Sequence, residues 1–172
     1  MYKRQTFISS VSSAKPKVAD YPFTTLNPVL GIASHKSNEI TIADIPGLIE
    51  GAHDGKGLGD RFLGHVERCS ILIHLIDCLS DDPHHDWKTI RNEIKSYSGD
   101  LADKDEIIAL SKTDTISEDD RDRKIKKLEE MTGKEIFALS SVTNKGLEEI
   151  LNKVLNVIKE NEKVEKEEKW SP

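Results

Sequence analysis

The sequence predicts an α/β fold of the doubly wound kind, a mostly parallel sheet flanked by helices. Two observations predict it. Short, near-continuous apolar runs alternate along the chain with segments whose apolar residues recur every three or four positions. The runs are also too uniformly apolar to be half-exposed strands, which suits strands buried on both faces of a parallel sheet.

Four strands are expected. Glu39 to Asp44 alternates and is β-branched, and Ser70 to Ile76 runs apolar up to Asp77. Glu106 to Leu110 and Glu135 to Leu139 follow the same pattern. Helices are expected between them. Asp60 to Arg68 follows a glycine-rich loop, and Asp86 to Tyr97 places Trp87, Ile90, Ile94 and Tyr97 on one face. Ser117 reads as an N-cap for a helix to Met131, with Gly133 as its stop. Leu147, Ile150, Leu151, Val154, Leu155 and Ile158 form one stripe of a final helix. From Glu160 the chain turns Lys/Glu-rich and reads as a frayed tail.

Composition narrows the class of function. The 172 residues are 36% hydrophobic and 33% charged, enough for one domain with a core. A net charge of -6 argues against general affinity for nucleic acid, though Lys15 and Lys17 beside Arg61 and Arg68 leave room for a local basic patch. No apolar run reaches the roughly 18 residues of a membrane span, and no signal peptide is visible. Cys69 and Cys78 sit in or beside apolar segments and read as reduced core thiols. His74 falls inside an expected strand and His84-His85 in a polar loop after Pro83, so they read as structural rather than metal-binding.

In open α/β sheets, ligands bind beyond the carboxyl ends of the strands. The residues at those ends are therefore the candidates. Asp44-Ile45-Pro46-Gly47 offers a carboxylate able to hold Mg²⁺ through water, and a glycine whose backbone N–H can approach a phosphate. The same four residues also suit a simple turn. Asp77 is a possible cap of its own loop. Ser111-Lys112-Thr113-Asp114 offers a carboxylate that matches two N–H donors on the Watson–Crick edge of guanine, a pattern adenine lacks, with a lysine stem to lie along the base. Ser140-Ser141-Val142 is a small-residue loop whose backbone N–H groups suit the guanine carbonyl oxygen. Each element is common alone; their order at successive strand ends is not.

Longer strings carry a resemblance. Asp20 to Pro28 (DYPFTTLNP), Asp44 to His53 (DIPGLIEGAH) and Gly55 to Leu63 (GKGLGDRFL) resemble the Obg family of bacterial P-loop GTPases, and Ser13 to Lys17 fits the segment before them. The likeness covers about residues 6 to 160. It implies a P-loop NTPase-type G domain over residues 1–160 and a charged tail over 161–172. It also implies a GTP- and GDP-binding protein, a slow Mg²⁺-dependent GTPase switch in assembly of the large ribosomal subunit. Such a protein is expected to be cytoplasmic and monomeric, with no membrane partner and with the large subunit or its rRNA as partner.

The resemblance assigns roles by position. Phe23, Thr24, Thr25, Leu26 and Asn27 correspond to switch I, with Thr25 as a Mg²⁺ ligand. Asp44, Ile45, Pro46 and Gly47 begin switch II, with Asp44 reaching Mg²⁺ through water and Gly47 facing the γ-phosphate. Ser111, Lys112, Thr113 and Asp114 take the place of the Asn-Lys-x-Asp guanine motif. Ser140, Ser141 and Val142 take the place of the loop on the base carbonyl. Leu48 stands where Ras-like proteins carry the glutamine that orients water, so hydrolysis is expected to be slow and no residue is assigned as catalytic.

The likeness stops at the first residues. The family's Gly-x-x-x-x-Gly-Lys-Ser-Thr loop cradles the phosphates, and here that register reads Lys3-Arg4-Gln5-Thr6. Arg4 takes the place of the lysine and Gln5 that of the Mg²⁺-binding serine. The domain reads as truncated within the P-loop, with the first strand, normally central in the sheet, missing. The strands beside it are then expected to lose a ladder partner. The alternative reading is a fragment or interaction module with little or no nucleotide binding.

Overall fold

The computed structural model describes residues 2–12, 17–18, 29–44, 69–97 and 102–168. Its core is a parallel sheet of β4 (Leu72–Asp77), β5 (Glu106–Ser111) and β6 (Ile136–Leu139), in that order. The preceding strands β1 (Lys17–Val18), β2 (Val29–His35) and β3 (Asn38–Ala43) form an antiparallel sheet. Helices α1 (Tyr2–Val11), α2 (Pro83–Tyr97), α3 (Glu118–Thr132) and α4 (Leu147–Glu168) complete the described elements. The predicted α/β class is what the chain adopts, and the four predicted strands are β3 to β6.

Among the described residues β3 pairs only with β2, and β4 only with β5. The two sheets are joined by side chains instead. Ala33 and Ile40 of the first sheet share one buried cluster with Ile107, Ala109 and Leu139 of the second. Phe7, Ile8 and Val11 of α1 and Ile150, Leu151, Val154 and Leu155 of α4 close that cluster. A polar tie reinforces it: His35 Nε2 donates to Asn152 Oδ1 at 2.8 Å, fastening the end of β2 to α4. The second cluster lies on the other face of β5. There Ile108 and Leu110 pack with Ile76, Cys78, Ile136 and Leu128 of α3. Alternate residues of β5 thus face different clusters, which is why its whole run is apolar.

Local chemistry sets the helix ends. Ser117 Oγ accepts the Asp120 N–H at 3.2 Å, and Gly133 ends α3 in the left-handed region at φ 67, its N–H donating to Glu129 O at 2.8 Å. Both caps match the sequence expectation. Helix α2 begins earlier than expected, at Pro83 rather than Asp86. Asp82 explains this. Its carboxylate accepts the His85 N–H at 3.1 Å, and proline needs no N–H partner in a first turn. That same N–H holds the Asp82 carboxyl below its ordinary range. Helix α4 continues through Glu168, past the point where the tail was expected to fray.

Three elements, the short β1, β2 and α1, have no counterpart in the sequence expectations. Strand β2 uses its smallest residues to face inward: Gly31 and Ala33 are buried while Ile32 and Ser34 are exposed. A Cβ on Gly31 would sit 2.6 Å from Ile8 Cγ2, so α1 crosses β2 closely at that point. Lys36 and Ser37, at φ 47 and 61, make the two-residue reversal into β3. Helix α1 takes up residues 2–11, with Phe7, Ile8 and Val11 on its inner side.

Candidate functional site

The strand register brings three predicted loops to one edge. Asp77, Ser111 and Leu139 are cross-strand neighbours at the carboxyl ends of β4, β5 and β6. Adjacent strands lie about 4.8 Å apart. The loops that leave them, Cys78–Leu79, Lys112–Thr115 and Ser140–Lys145, are therefore side by side.

The loop after β5 is tightly built. Ser111 is the last strand residue, buried, and its Oγ donates to Ile76 O on β4 at 2.7 Å. This bond ties two strand ends together. Lys112 then adopts a left-handed conformation, φ 63 and ψ 29, and the chain enters a 3₁₀ turn over Thr113–Thr115. Such a conformation is strained for a residue with a Cβ, so its surroundings must hold it. Three donors converge on the Lys112 carbonyl: Thr115 N at 3.0 Å, Thr115 Oγ1 at 2.8 Å and Cys78 Sγ at 3.2 Å. The Lys112 ammonium lies 2.9 Å from Asp77 Oδ2. Asp114 is exposed, and its carboxylate has no hydrogen bond or ion pair among the described residues. The turn is rigid at its base and presents one open carboxylate at its tip.

The loop after β6 is equally specific. The Ser140 N–H is used, donating to Lys145 O at 3.0 Å, and Ser140 Oγ accepts the Thr143 N–H at 3.2 Å. The amides of Ser141 and Val142 make no hydrogen bond among the described residues. They, and not Ser140, are the donors this loop can offer a carbonyl oxygen. Val142 is 77% exposed, a large apolar side chain left open at the loop tip. Gly146, at φ 79, closes the loop against β6. A Cβ there would lie 1.8 Å from Ala138 O, so only glycine fits.

Asp44 directly follows β3 and is 8% exposed. A buried carboxylate at a strand's carboxyl end is the hard-oxygen donor that Mg²⁺ takes, directly or through water. Among the described residues no group of three or more His, Cys, Asp and Glu side chains could hold a metal. Phe23 to Asn27, Ile45 to Gly47 and Leu48 lie outside the described residues, as do the predicted helix Asp60–Arg68 and the Lys15, Arg61 and Arg68 of the basic patch. The candidate histidines have structural partners: His74 Nδ1 donates to Glu106 Oε1 at 3.0 Å, His84 stacks on Trp87, and His85 Nε2 lies 3.5 Å from Thr89 Oγ1. Both cysteines are free thiols, and burial pushes that of Cys69 up, with Lys104 opposing.

The opposite edge of the parallel sheet carries a separate network. Glu106, with its side chain 1% exposed, receives His74 Nδ1, Lys134 Nζ at 3.0 Å and, at 3.8 Å, Arg91 Nε. Burial alone would raise its carboxyl. The hydrogen bonds and charges of His74 and Lys134 outweigh that and hold it down at about 2.

Comparison with known proteins assigns the class. A family model described as 50S ribosome-binding GTPase matches residues 5–112. This match places the chain in a GTPase family. The relatives make the assignment finer. The GTPase Obg of Rickettsia massiliae is 52% identical over 159 residues, which is 92% of this chain and 48% of that protein. The GTPase Obg of Rhizorhabdus wittichii is 45% identical over 173 residues, 98% of this chain and 50% of its own. The chain belongs to the Obg family of GTPases, and it spans about half the length of these relatives.

Solved structures agree on the fold. The cytosolic domain of the Thermotoga maritima FeoB iron transporter in its GMPPNP form superposes with a TM-score of 0.65 at 19% identity, covering 89% of this chain and 58% of that one. Era in complex with MgGDPNP and a 16S ribosomal RNA segment gives 0.60 at 21% identity, covering 90% and 52%.

Proposed function

We propose that this chain carries the guanine-nucleotide site of an Obg-type GTPase, a slow Mg²⁺-dependent switch acting in the cytoplasm on assembly of the large ribosomal subunit. One observation carries the reading. The open Asp114 carboxylate and the open Ser141 and Val142 amides stand at the ends of adjacent strands. A carboxylate accepts the two N–H donors of guanine's Watson–Crick edge, and an amide donates to its carbonyl oxygen. Adenine offers the reverse pattern at that carbonyl position and would leave the carboxylate and amides unpaired once the base covers them. Lys112, two residues before Asp114, turns its ammonium to Asp77 and leaves its stem available to the base face.

Asp44 would hold Mg²⁺ through water, with Thr25 as a direct ligand. The metal would supply neutralisation of phosphate charge, and Gly47 an N–H to the terminal phosphate. Leu48 cannot orient water, so turnover by the chain alone is slow. The ribosomal partner rests on the family model's description.

A second reading, an interaction module that binds little nucleotide, is favoured by the N-terminal residues. Arg4 and Gln5 lie within α1 and stand in the phosphate-binding register. Titration with a fluorescent GDP analogue in Mg²⁺ separates the two. Micromolar or tighter binding that is lost in Asp114→Ala supports the guanine site. Absence of binding up to millimolar nucleotide overturns it in favour of the module.

A further inference from the structure

The mechanism so far leaves one feature unused, the pair of residues that ends β4 and opens its loop. We propose that Asp77, with Cys78, is a positioning residue for guanine selectivity, clamping Lys112 so that Asp114 is held in register with the base. The inference rests on the guanine-site reading for its consequence, but not for its geometry.

Five contacts define the clamp. Asp77 Oδ2 lies 2.9 Å from Lys112 Nζ, with the Asp77 side chain 13% exposed and that of Lys112 42%. The other Asp77 oxygen, Oδ1, accepts the Leu79 N–H at 3.1 Å, so the carboxylate is fixed by its own loop before it engages the lysine. Cys78, fully buried, donates its thiol to the Lys112 carbonyl and its N–H to Ser111 O at 3.0 Å. The Cys78 carbonyl in turn accepts Lys124 Nζ of α3 at 2.6 Å. Lys112 is thus gripped at its ammonium and at its carbonyl from the same two consecutive residues.

The grip falls on the strained position. Lys112 is the left-handed residue that redirects the chain from β5 into the 3₁₀ turn bearing Asp114. A left-handed lysine without support relaxes toward negative φ, which swings the following residues. Two N–H bonds to one carboxylate demand an orientation, and a loosened turn forfeits it first. A guanidinium-like partner is not required, because the ammonium is a point charge on a flexible stem that the carboxylate can immobilise. The neighbouring Ser111 to Ile76 bond sets the strand ends but leaves the turn's direction to Asp77 and Cys78.

The experiment uses Asp77→Asn, which keeps shape and an acceptor for Leu79 while removing the charge. In the nucleotide-free chain, amide exchange at Thr115, whose N–H bonds the Lys112 carbonyl, should speed up about tenfold or more. Exchange at Ile108 and Leu110 in mid-β5 should not change. Asp77→Glu, which restores the charge, should recover part of the protection. In the nucleotide arm, Asp77→Asn should weaken GDP more than IDP, which lacks the exocyclic amine that Asp114 would read, narrowing the GDP-over-IDP preference about tenfold. Unchanged exchange at Thr115 overturns the clamp, and so does an unchanged GDP-over-IDP preference in a chain that binds GDP. A chain that binds neither nucleotide refutes the proposed function, and the exchange readout then decides the clamp alone.

Discussion

Replacing Glu106 by Gln tests whether a single buried carboxylate sets the acid stability of the parallel sheet. The carboxyl is held at about 2 against an ordinary 4.5. A shift of that size corresponds to about 3 kcal/mol of preferential stabilisation of the charged form, at roughly 1.4 kcal/mol per pH unit. Water around the Lys134 head, whose side chain is 39% exposed, screens part of it, leaving about 2 kcal/mol. The sign follows from the direction of the shift. A depressed carboxyl stabilises the fold above the unfolded value near 4.5, and the contribution is lost as pH falls toward 2. Because the unfolded chain protonates first, more than half of the effect disappears by pH 3. Urea unfolding between pH 6 and 3 should therefore show the unsubstituted chain losing about 1 kcal/mol more than Glu106→Gln, which is less stable at pH 6 and flatter toward acid. Gln keeps an acceptor for His74, so the difference reports charge. Parallel stability curves for the two chains would refute the reasoning and show that His74, Lys134 and Arg91 do not act on this carboxylate.

Two substitutions probe the packing that positions the site. Gly146→Ala places a Cβ 1.8 Å from Ala138 O at a φ of 79, and should cost more than about 3 kcal/mol in chemical denaturation; a loss under about 1 kcal/mol would mean the Ser140–Lys145 loop yields easily. Ile150→Ala removes a fully buried side chain from the cluster that joins the two sheets to α4, and should lower stability by about 3 kcal/mol in urea melts.

What could be read from the sequence divides along physical lines. Strands β4, β5 and β6 were legible because burial on both faces forces a run of large apolar residues. Ser117 and Gly133 were legible because capping is local chemistry within four residues. Strand β2 was not, because its inward face is Gly31 and Ala33. Their smallness answers the approach of α1, a tertiary demand that no periodicity records. Helix α1 hid behind an apolar face of only three residues, Phe7, Ile8 and Val11. At the site, Asp114 and the Ser140–Val142 loop were legible from their positions after strands. Which amides of that loop stay open was not, since the use of the Ser140 N–H depends on Lys145 returning to it.

The hydroxyl of Ser111 shows how a departure from a family motif can be absorbed. An asparagine at this position would present an amide with both donors and an acceptor, whereas serine presents one short hydroxyl. In the structure that hydroxyl is spent across the sheet, on Ile76 O, so it fixes β5 to β4 and has little reach beyond. The orientation of the following turn then has to come from elsewhere, and the available groups are Asp77, the last residue of β4, and Cys78, the first of its loop. Under the proposed guanine-site reading, base recognition is then a property of two strand ends rather than of one loop. Its sensitivity to substitution should lie in β4 as much as in the Ser111–Asp114 segment that the sequence marks out.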